Sequence, residues 1–441
     1  MGRSRKSTRE KPFAIVRSEK QTSNSFGPKS LVQITLRVLT NEILTGLNLP
    51  EHLKVLEHSV KIKTLPTMLL DMLEKQVNRE AELYFSLTKW NEAMFKIWEI
   101  FFNSENPSES LRNLNLQQSE CSMLVLERLS VSETPLKIVD LTLNSTLLNS
   151  TFGYFGIDED EFKERLELIL KKSPELESVH LIGRFFDDDC LHSIAKFGAK
   201  KLKTLRLSNS GSSFNDTGRV TDEGIVDFVD QLLSNSDKCQ LKVFDVGQWH
   251  TSYAGLITSK GIVYLNKLDS LTEIHFRLSH LNYCDFVLDK YRDLIEIGNR
   301  ITSVYLYSEL KVFEEEFCKD TKDILSKVHL YLERFFPQLV SLHLKSFCSS
   351  SAKDCPLLFL NFGGKIKSCD LTLAKDLDFW LSSFPDLQSL TISDPKLGLK
   401  WDHVSHDSLR IFHFDDAAFF INFDFIAQVG REKKSQFMRS G

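Results

Sequence analysis

Leu136-Lys137-Ile138-Val139-Asp140-Leu141-Thr142-Leu143-Asn144 reads as a short strand in the frame apolar-x-x-apolar-x-apolar, carried by Leu136, Val139 and Leu141 and closed by Asn144. The same frame starts at Leu111 and returns near residues 136, 176, 202, 241, 271, 301, 339, 366, 387 and 409. The mean interval is about 30 residues, the period of stacked repeat units rather than of one compact core.

The copies keep the frame while changing its side chains. Leu176/Val179/Leu181, Leu202/Leu205/Leu207, Leu241/Phe244/Val246, Leu271/Ile274/Phe276 and Ile301/Val304/Leu306 continue it, followed by Leu339/Leu342/Leu344, Ile366/Cys369/Leu371, Leu387/Leu390/Ile392 and Leu409/Phe412/Phe414. Alternation of apolar and polar residues points one set of side chains inward, and the return segment must cover the same interior. Asp158 to Lys171 places Phe162, Leu166, Ile169 and Leu170 on one helical face, and Thr221 to Leu233 does the same with Ile225, Phe228, Val229 and Leu232. Each unit therefore reads as strand, turn, helix: an α/β solenoid of parallel strands on a concave face and helices on a convex one.

Val220-Thr221-Asp222-Glu223-Gly224-Ile225 is echoed by Ile257-Thr258-Ser259-Lys260-Gly261-Ile262. The threonine sits where an N-cap hydroxyl can take an unpaired backbone N–H of the following helix. This (V/I)-T-x-x-G-I signature, with the strand frame, resembles the long, cysteine-containing leucine-rich repeats of F-box receptors and their relatives, over residues 111 to 425. The resemblance implies a leucine-rich-repeat solenoid that binds protein partners.

Residues 30 to 103 precede the repeats and have a helical pattern. Ser30 with Gln33 makes a capping-box start, and Leu31, Ile34, Val38 and Leu39 give an apolar stripe that continues to Ile43 and Leu44. Leu49-Pro50 and Leu65-Pro66 read as further helix starts, since proline is tolerated in a first turn.

The run Ser30 to Leu39 resembles the elongin C-binding box of cullin-RING ligase receptors: a small residue and Leu31, then Thr35 where cysteine is usual, then aliphatic residues to Leu39. Leu49-Pro50-x-x-Leu53, or Leu65-Pro66-x-x-Leu69-x-x-x-Leu73, is similar to the cullin-contacting box that follows it. Alternatively, Leu65, Pro66, Leu69, Leu70, Leu73 and Trp90 resemble the leucine-proline start, aliphatics and closing tryptophan of an F-box. Either resemblance implies an adaptor, elongin C or the F-box adaptor, carried on a cullin. A helical cap over the first repeat's open core accounts for the same stripe without any adaptor.

The chain divides, on this reading, into a basic flexible tail (1–29), a helical docking or capping module (30–103), the solenoid (104–425) and a second basic tail (426–441). The overall formal charge is −5. The first 29 residues carry eight basic and two acidic side chains, residues 431 to 441 four and one, which leaves −14 for residues 30 to 430. An acidic body argues against the solenoid tracking a phosphate backbone, so nucleic acid is not the expected partner. No apolar stretch reaches membrane-spanning length, and the start lacks an apolar signal region, so neither membrane association nor secretion is expected.

Eight cysteines are scattered without a C-x-x-C pair, which reads as buried thiols in a cytoplasmic or nuclear protein. The sequons at Asn144, Asn149 and Asn215 are then chance. No phosphate loop, dinucleotide fingerprint, nucleophile elbow or H-E-x-x-H motif occurs, and Asp187-Asp188-Asp189 reads as a turn before a helix. No cofactor and no catalytic residue is expected; the chain recruits and does not catalyse.

In the strand frame, the residue between the last two apolar positions points out of the core. Down the repeats this gives Asp140, His180, Arg206, Asp245, His275, Tyr305, His343, Asp370, Thr391 and His413, a polar ladder suited to a protein substrate. His180 and His275 stand three repeats apart, as do His343 and His413, and at about 4.8 Å per strand such pairs cannot share a metal ion.

Overall fold

The computed structural model describes residues 31–48, 112–116, 122–132, 135–144, 159–183, 186–198, 200–208, 219–235, 239–248, 257–281, 290–293, 300–307, 328–348, 360–372, 381–393, 408–415 and 436–439, with Leu69, Met72, Leu73, Gln76 and Val77. Among these residues twelve strands form one sheet whose spatial order is the chain order. They are β1 (Asn113–Leu116), β2 (Asp140–Asn144), β3 (Ser178–Ile182), β4 (Thr204–Ser208), β5 (Val243–Gln248) and β6 (Glu273–Arg277), then β7 (Ser303–Tyr307), β8 (Ser341–Cys348), β9 (Ile366–Thr372), β10 (Ser389–Ser393), β11 (Ile411–Asp415) and β12 (Gln436–Arg439). Every pairing is parallel. The chain folds as a leucine-rich-repeat solenoid.

A parallel strand can be followed by its neighbour only through a return segment across one face of the sheet. Helices α2 (Ser122–Ser130), α3 (Glu159–Lys172), α4 (Asp188–Gly198), α5 (Asp222–Asn235) and α6 (Ser259–Tyr264) make these returns, each packed against the next. The helical stripes read from the sequence are the buried ones: Phe162, Leu166, Ile169 and Leu170 in α3, and Ile225, Phe228, Val229 and Leu232 in α5. Opposite them the strands send in alternate residues, and one apolar core runs from Leu114 to Leu409. Phe228 of α5 meets Phe244 of β5 with centroids 6.2 Å apart, joining helix to sheet. The other face of the sheet carries half-buried and polar side chains, as in the alternating pattern of β2 and β7.

The first complete repeat corrects the frame read from its sequence. Ile138 is buried and Val139 is half-exposed, so the inward set is Ile138, Leu141 and Leu143. Asp140 pairs with Ser178, and Thr142 stands opposite His180. The stretch holds two overlapping frames two residues apart. A two-residue shift preserves side-chain parity, so Asp140 stays on the outer face but one step off the row.

Helix α1 (Leu31–Asn48) also turns differently from its expected stripe. Leu36, Thr40, Ile43 and Leu44 are buried, Leu39 is half-buried, and Val38 is 51% exposed. The buried set follows the i, i+4, i+7, i+8 spacing of one helical face. At the other end, β12 pairs with β11 inside the stretch read as the second basic tail.

Candidate functional site

Register fixes the row on the open face. Thr142, His180, Arg206, Asp245, His275, Tyr305 and His343 stand side by side on β2 to β8. An irregularity between β8 and β9 sets Ser368 opposite His343, while Asp370, Thr391 and His413 align on β9, β10 and β11. Asp370 therefore opens a second run instead of extending the first. The side chain of His413 lies outside the described residues, as do those of Leu31 and Thr35 in α1, and Leu65 and Pro66 entirely; Leu69 is helical and half-buried.

Parallel neighbours lie about 4.8 Å apart, close to the stacking distance of flat rings, so aromatic residues at equal register can stack across strands. The ring of Tyr305 lies between those of His275 and His343, with centroids 4.0 Å from each and interplanar angles of 22° and 7°. The stack spans β6, β7 and β8, the last three positions of the row.

Hydrogen bonds hold the histidines of the row. His343 Nδ1 lies 2.7 Å from Ser368 Oγ, and His180 Nε2 lies 2.9 Å from Ser208 Oγ. His275 Nε2 is 2.7 Å from Glu273 Oε1. Its Nδ1 is 3.2 Å from Asp245 Oδ2, in charge contact rather than in an aligned hydrogen bond. Asp245 Oδ1 accepts the Gly247 N–H at 2.9 Å, and Arg206 Nε stands 3.9 Å from Asp245 Oδ2.

These surroundings pull the histidines apart in acidity. Burial of His275 disfavours its proton, but Asp245 and Glu273 favour it and the net shift is upward from 6.5. Burial lowers His343 to about 4, assisted by Lys345 and His275. His180 is lowered too, by burial and by Arg206, with Asp245 opposing. The row thus has one imidazole that keeps its proton to higher pH than usual and two that lose it at lower pH.

Beneath the row lies a set of residues that the ladder reading missed. Arg277 Nε donates to Gly247 O at 2.9 Å, and the Arg277 N–H donates to His280 Nδ1 at 3.3 Å. A Cβ on Gly247 would come within 2.2 Å of Tyr307 Cε2, so only glycine lets that ring lie on β5. Parity offered a signal, because Glu273, Arg277 and Tyr307 each lie two residues from a ladder position and so share its face.

The helix side carries a second polar array. Thr221 donates its N–H to Asp188 Oδ1 (2.8 Å) and its hydroxyl to Asp188 Oδ2 (2.7 Å), so a carboxylate of one repeat holds the threonine of the next. Asp222 repeats the contact with Thr258, at 2.8 and 2.6 Å, and also accepts the Gly261 N–H at 2.9 Å. Thr258 then caps α6 by accepting the Lys260 N–H. The glycine of the repeated motif has a reason: a Cβ at Gly224 or Gly261 would lie 1.9 or 2.6 Å from the Asp188 or Asp222 oxygen.

No protein-family model matches the chain, and no curated protein does. Solved structures are similar to it, two of them as follows. One is the leucine-rich repeat-containing protein LegL7 from Legionella pneumophila, at 14% identity and a TM-score of 0.40, covering 73% of this chain and 97% of that one. The other is the Rad7 and Elc1 complex of yeast, at 14% identity and a TM-score of 0.39, covering 87% and 98%. The repeat fold stands on the strand register and the continuous core, independently of either likeness.

Proposed function

We propose that the chain is a non-enzymatic recognition subunit that holds a protein substrate on the open face of its sheet and docks an adaptor of a cullin-RING ligase, elongin C or the F-box adaptor, through its amino-terminal helices. The observation that carries the substrate side is the row from Arg206 to His343. Its side chains are fixed by stacking and by partners on the same face: over a buried His275, Arg206 stands exposed and Asp245, Tyr305 and His343 half-buried, which leaves polar edges and aromatic surface of the kind found at protein interfaces. The adaptor side is supported by the Ser30 to Leu39 resemblance and by Val38, an apolar side chain left half-exposed in α1. Its contribution to ubiquitin transfer is proximity: a substrate gripped at a fixed distance from the charged carrier.

The buried stripe of Leu36, Thr40, Ile43 and Leu44 favours a second reading, a repeat scaffold whose helices only cap the core. Pull-down of the purified chain with elongin B/C and with the F-box adaptor separates the two. Under the ligase reading one of them is retained, and Leu31→Asp abolishes the capture while the circular-dichroism melt stays within a few degrees. Retention of neither adaptor leaves the scaffold.

A further inference from the structure

The described part of the chain has a second cluster of charge away from the open face, at the edge where the helices end. A cleft of about 240 Å3 lies there, rimmed by Lys171, Lys196, Lys200 and Lys201 and floored in part by Phe197 and Pro174. Its volume is below the roughly 300–1,000 Å3 of sites that enclose a drug-sized molecule, and suits one small group.

Basic residues in a last helical turn answer to the carbonyls and dipole that face them, and that is their ordinary use. Lys172 shows that use here: its Nζ takes the carbonyl oxygens of Ser130 and Ser132. Lys201 is likewise tied, to Glu175. Lys171 in the last turn of α3, Lys196 in the last turn of α4 and Lys200 differ. Among the described residues none of the three has a carboxylate or carbonyl partner, and Lys196 stands only over the Phe197 ring, 5.0 Å from its centroid.

The walls are built independently of those ammonium groups. The turn after α3 is closed by Ser173 N to Leu170 O and Leu176 N to Ser173 O, and the Ser173 hydroxyl donates to Ile169 O at 2.7 Å. The opposite wall is fixed by Leu202 N to Gly198 O and by the Gln240 amide donating to Lys200 O at 3.0 Å. Three cations without a carboxylate partner among the described residues therefore gather on a preformed concavity of a chain whose body is strongly acidic.

We propose that this cleft binds a phosphate monoester. The ester carries a charge of about −1.5 to −2 near neutral pH and three strong acceptor oxygens, and lysine recognises phosphate as a point charge. Lys171, Lys196 and Lys200 take the phosphate oxygens, and the organic group rests on Phe197 and Pro174. The helix ends nearby turn carbonyls toward the cleft, so affinity comes from the side chains and falls with salt.

The test is isothermal titration calorimetry of the full chain at low salt with phenyl phosphate, glucose 6-phosphate and a phosphoserine peptide, and phenol as the uncharged control. At least one ester binds and phenol does not, and the Lys171→Gln/Lys196→Gln/Lys200→Gln variant loses about tenfold or more in affinity with an unchanged thermal melt. Uptake of the peptide alone assigns the phosphate to a partner's side chain; uptake of the small esters assigns it to a metabolite. Absence of heat with all three esters, equal binding by the triple variant, or phenol binding as well as phenyl phosphate overturns the proposal.

Discussion

The two polar arrays of the repeats each hold an aspartate at a fixed point and do opposite work. On the helix side, Asp222 is 7% exposed and accepts three hydrogen bonds, from the Thr258 N–H, the Thr258 hydroxyl and the Gly261 N–H. On the open face, Asp245 accepts one backbone N–H and otherwise meets charge, His275 at 3.2 Å and Arg206 at 3.9 Å. The first carboxylate is consumed by neutral donors that folding itself must satisfy, and nothing is left over for a partner. The second is held in position by a single donor while its remaining capacity is shared between a histidine, whose charge can change, and an arginine, whose charge is permanent. Polar residues that close on themselves stabilise a repeat; polar residues that are fixed but unsaturated are, under the proposed function, what a partner would meet.

Removing the closed array has the largest expected effect. Asp222→Ala takes away the acceptor of two backbone N–H groups and one hydroxyl in a buried site, and is expected to cost about 3 kcal/mol of stability, read as a lowered urea midpoint. Because a repeat contacts only its neighbours, the loss should concentrate in α5 and α6 and appear as faster amide exchange there than in α3. If Asp222→Ala melts within 0.5 kcal/mol of the parent chain, about the scatter of an ordinary surface change, the relay is ornamental and the distinction between the two arrays fails.

A smaller effect belongs to the layer under the open face. His280 is wholly buried and burial lowers it to about 3, assisted by Arg277. A histidine lowered in the fold favours folding fully above its unfolded value of 6.5, and that support drains away as pH falls from 6.5 toward 3. The expected slope grows from about 0.7 kcal/mol per pH unit at pH 6.5, where half of the unfolded imidazole is protonated, toward about 1.4 near pH 5. His275 has the opposite sign: its raised value supports the fold at low pH and the support is lost as pH rises through the folded value. Urea melts at pH 7 and pH 5 on the parent chain and on His280→Gln measure the first contribution directly. The variant should be less stable at pH 7 and lose less on acidification; an unchanged slope would show that His280 does not titrate with unfolding.

The repeat frame was legible because burial imposes it on every unit: Val179/Leu181, Leu205/Leu207 and Ile274/Phe276 are all in the core as their spacing requires. It slipped at Leu136 to Asn144 because Ile138, Val139, Leu141 and Leu143 offer two frames of equal parity, and only packing distinguishes them. The threonine cap at Thr258 was legible from a local rule. Its aspartate partner was not, since Asp222 and Thr258 are 36 residues apart and no local pattern encodes that contact. On the open face the ladder listed which residues share a row, including His275, Tyr305 and His343, but not that their rings stack or that Asp370 falls beyond an irregularity. Both depend on strand register, which is a property of neighbours and not of one repeat.

The smallest effect tests whether depth or charge separates the arrays. Lys260 pairs with Glu223 at 2.7 Å, two residues from the relay threonine Thr258, and each partner moves the other's acidity in the direction an ion pair requires. Glu223 is 76% exposed, however, so water screens the pair and holding two long side chains together costs rotamer freedom. Lys260→Gln should therefore shift stability by no more than about 0.5 kcal/mol, with salt erasing even that. A loss approaching that of Asp222→Ala would mean that surface charge, and not the enclosed hydrogen bonds of Asp222 and Thr258, ties one repeat to the next. The open face would then differ from the helix side only in which charges it displays, and the polar edges of Arg206 and Asp245 would lose their claim to a separate role.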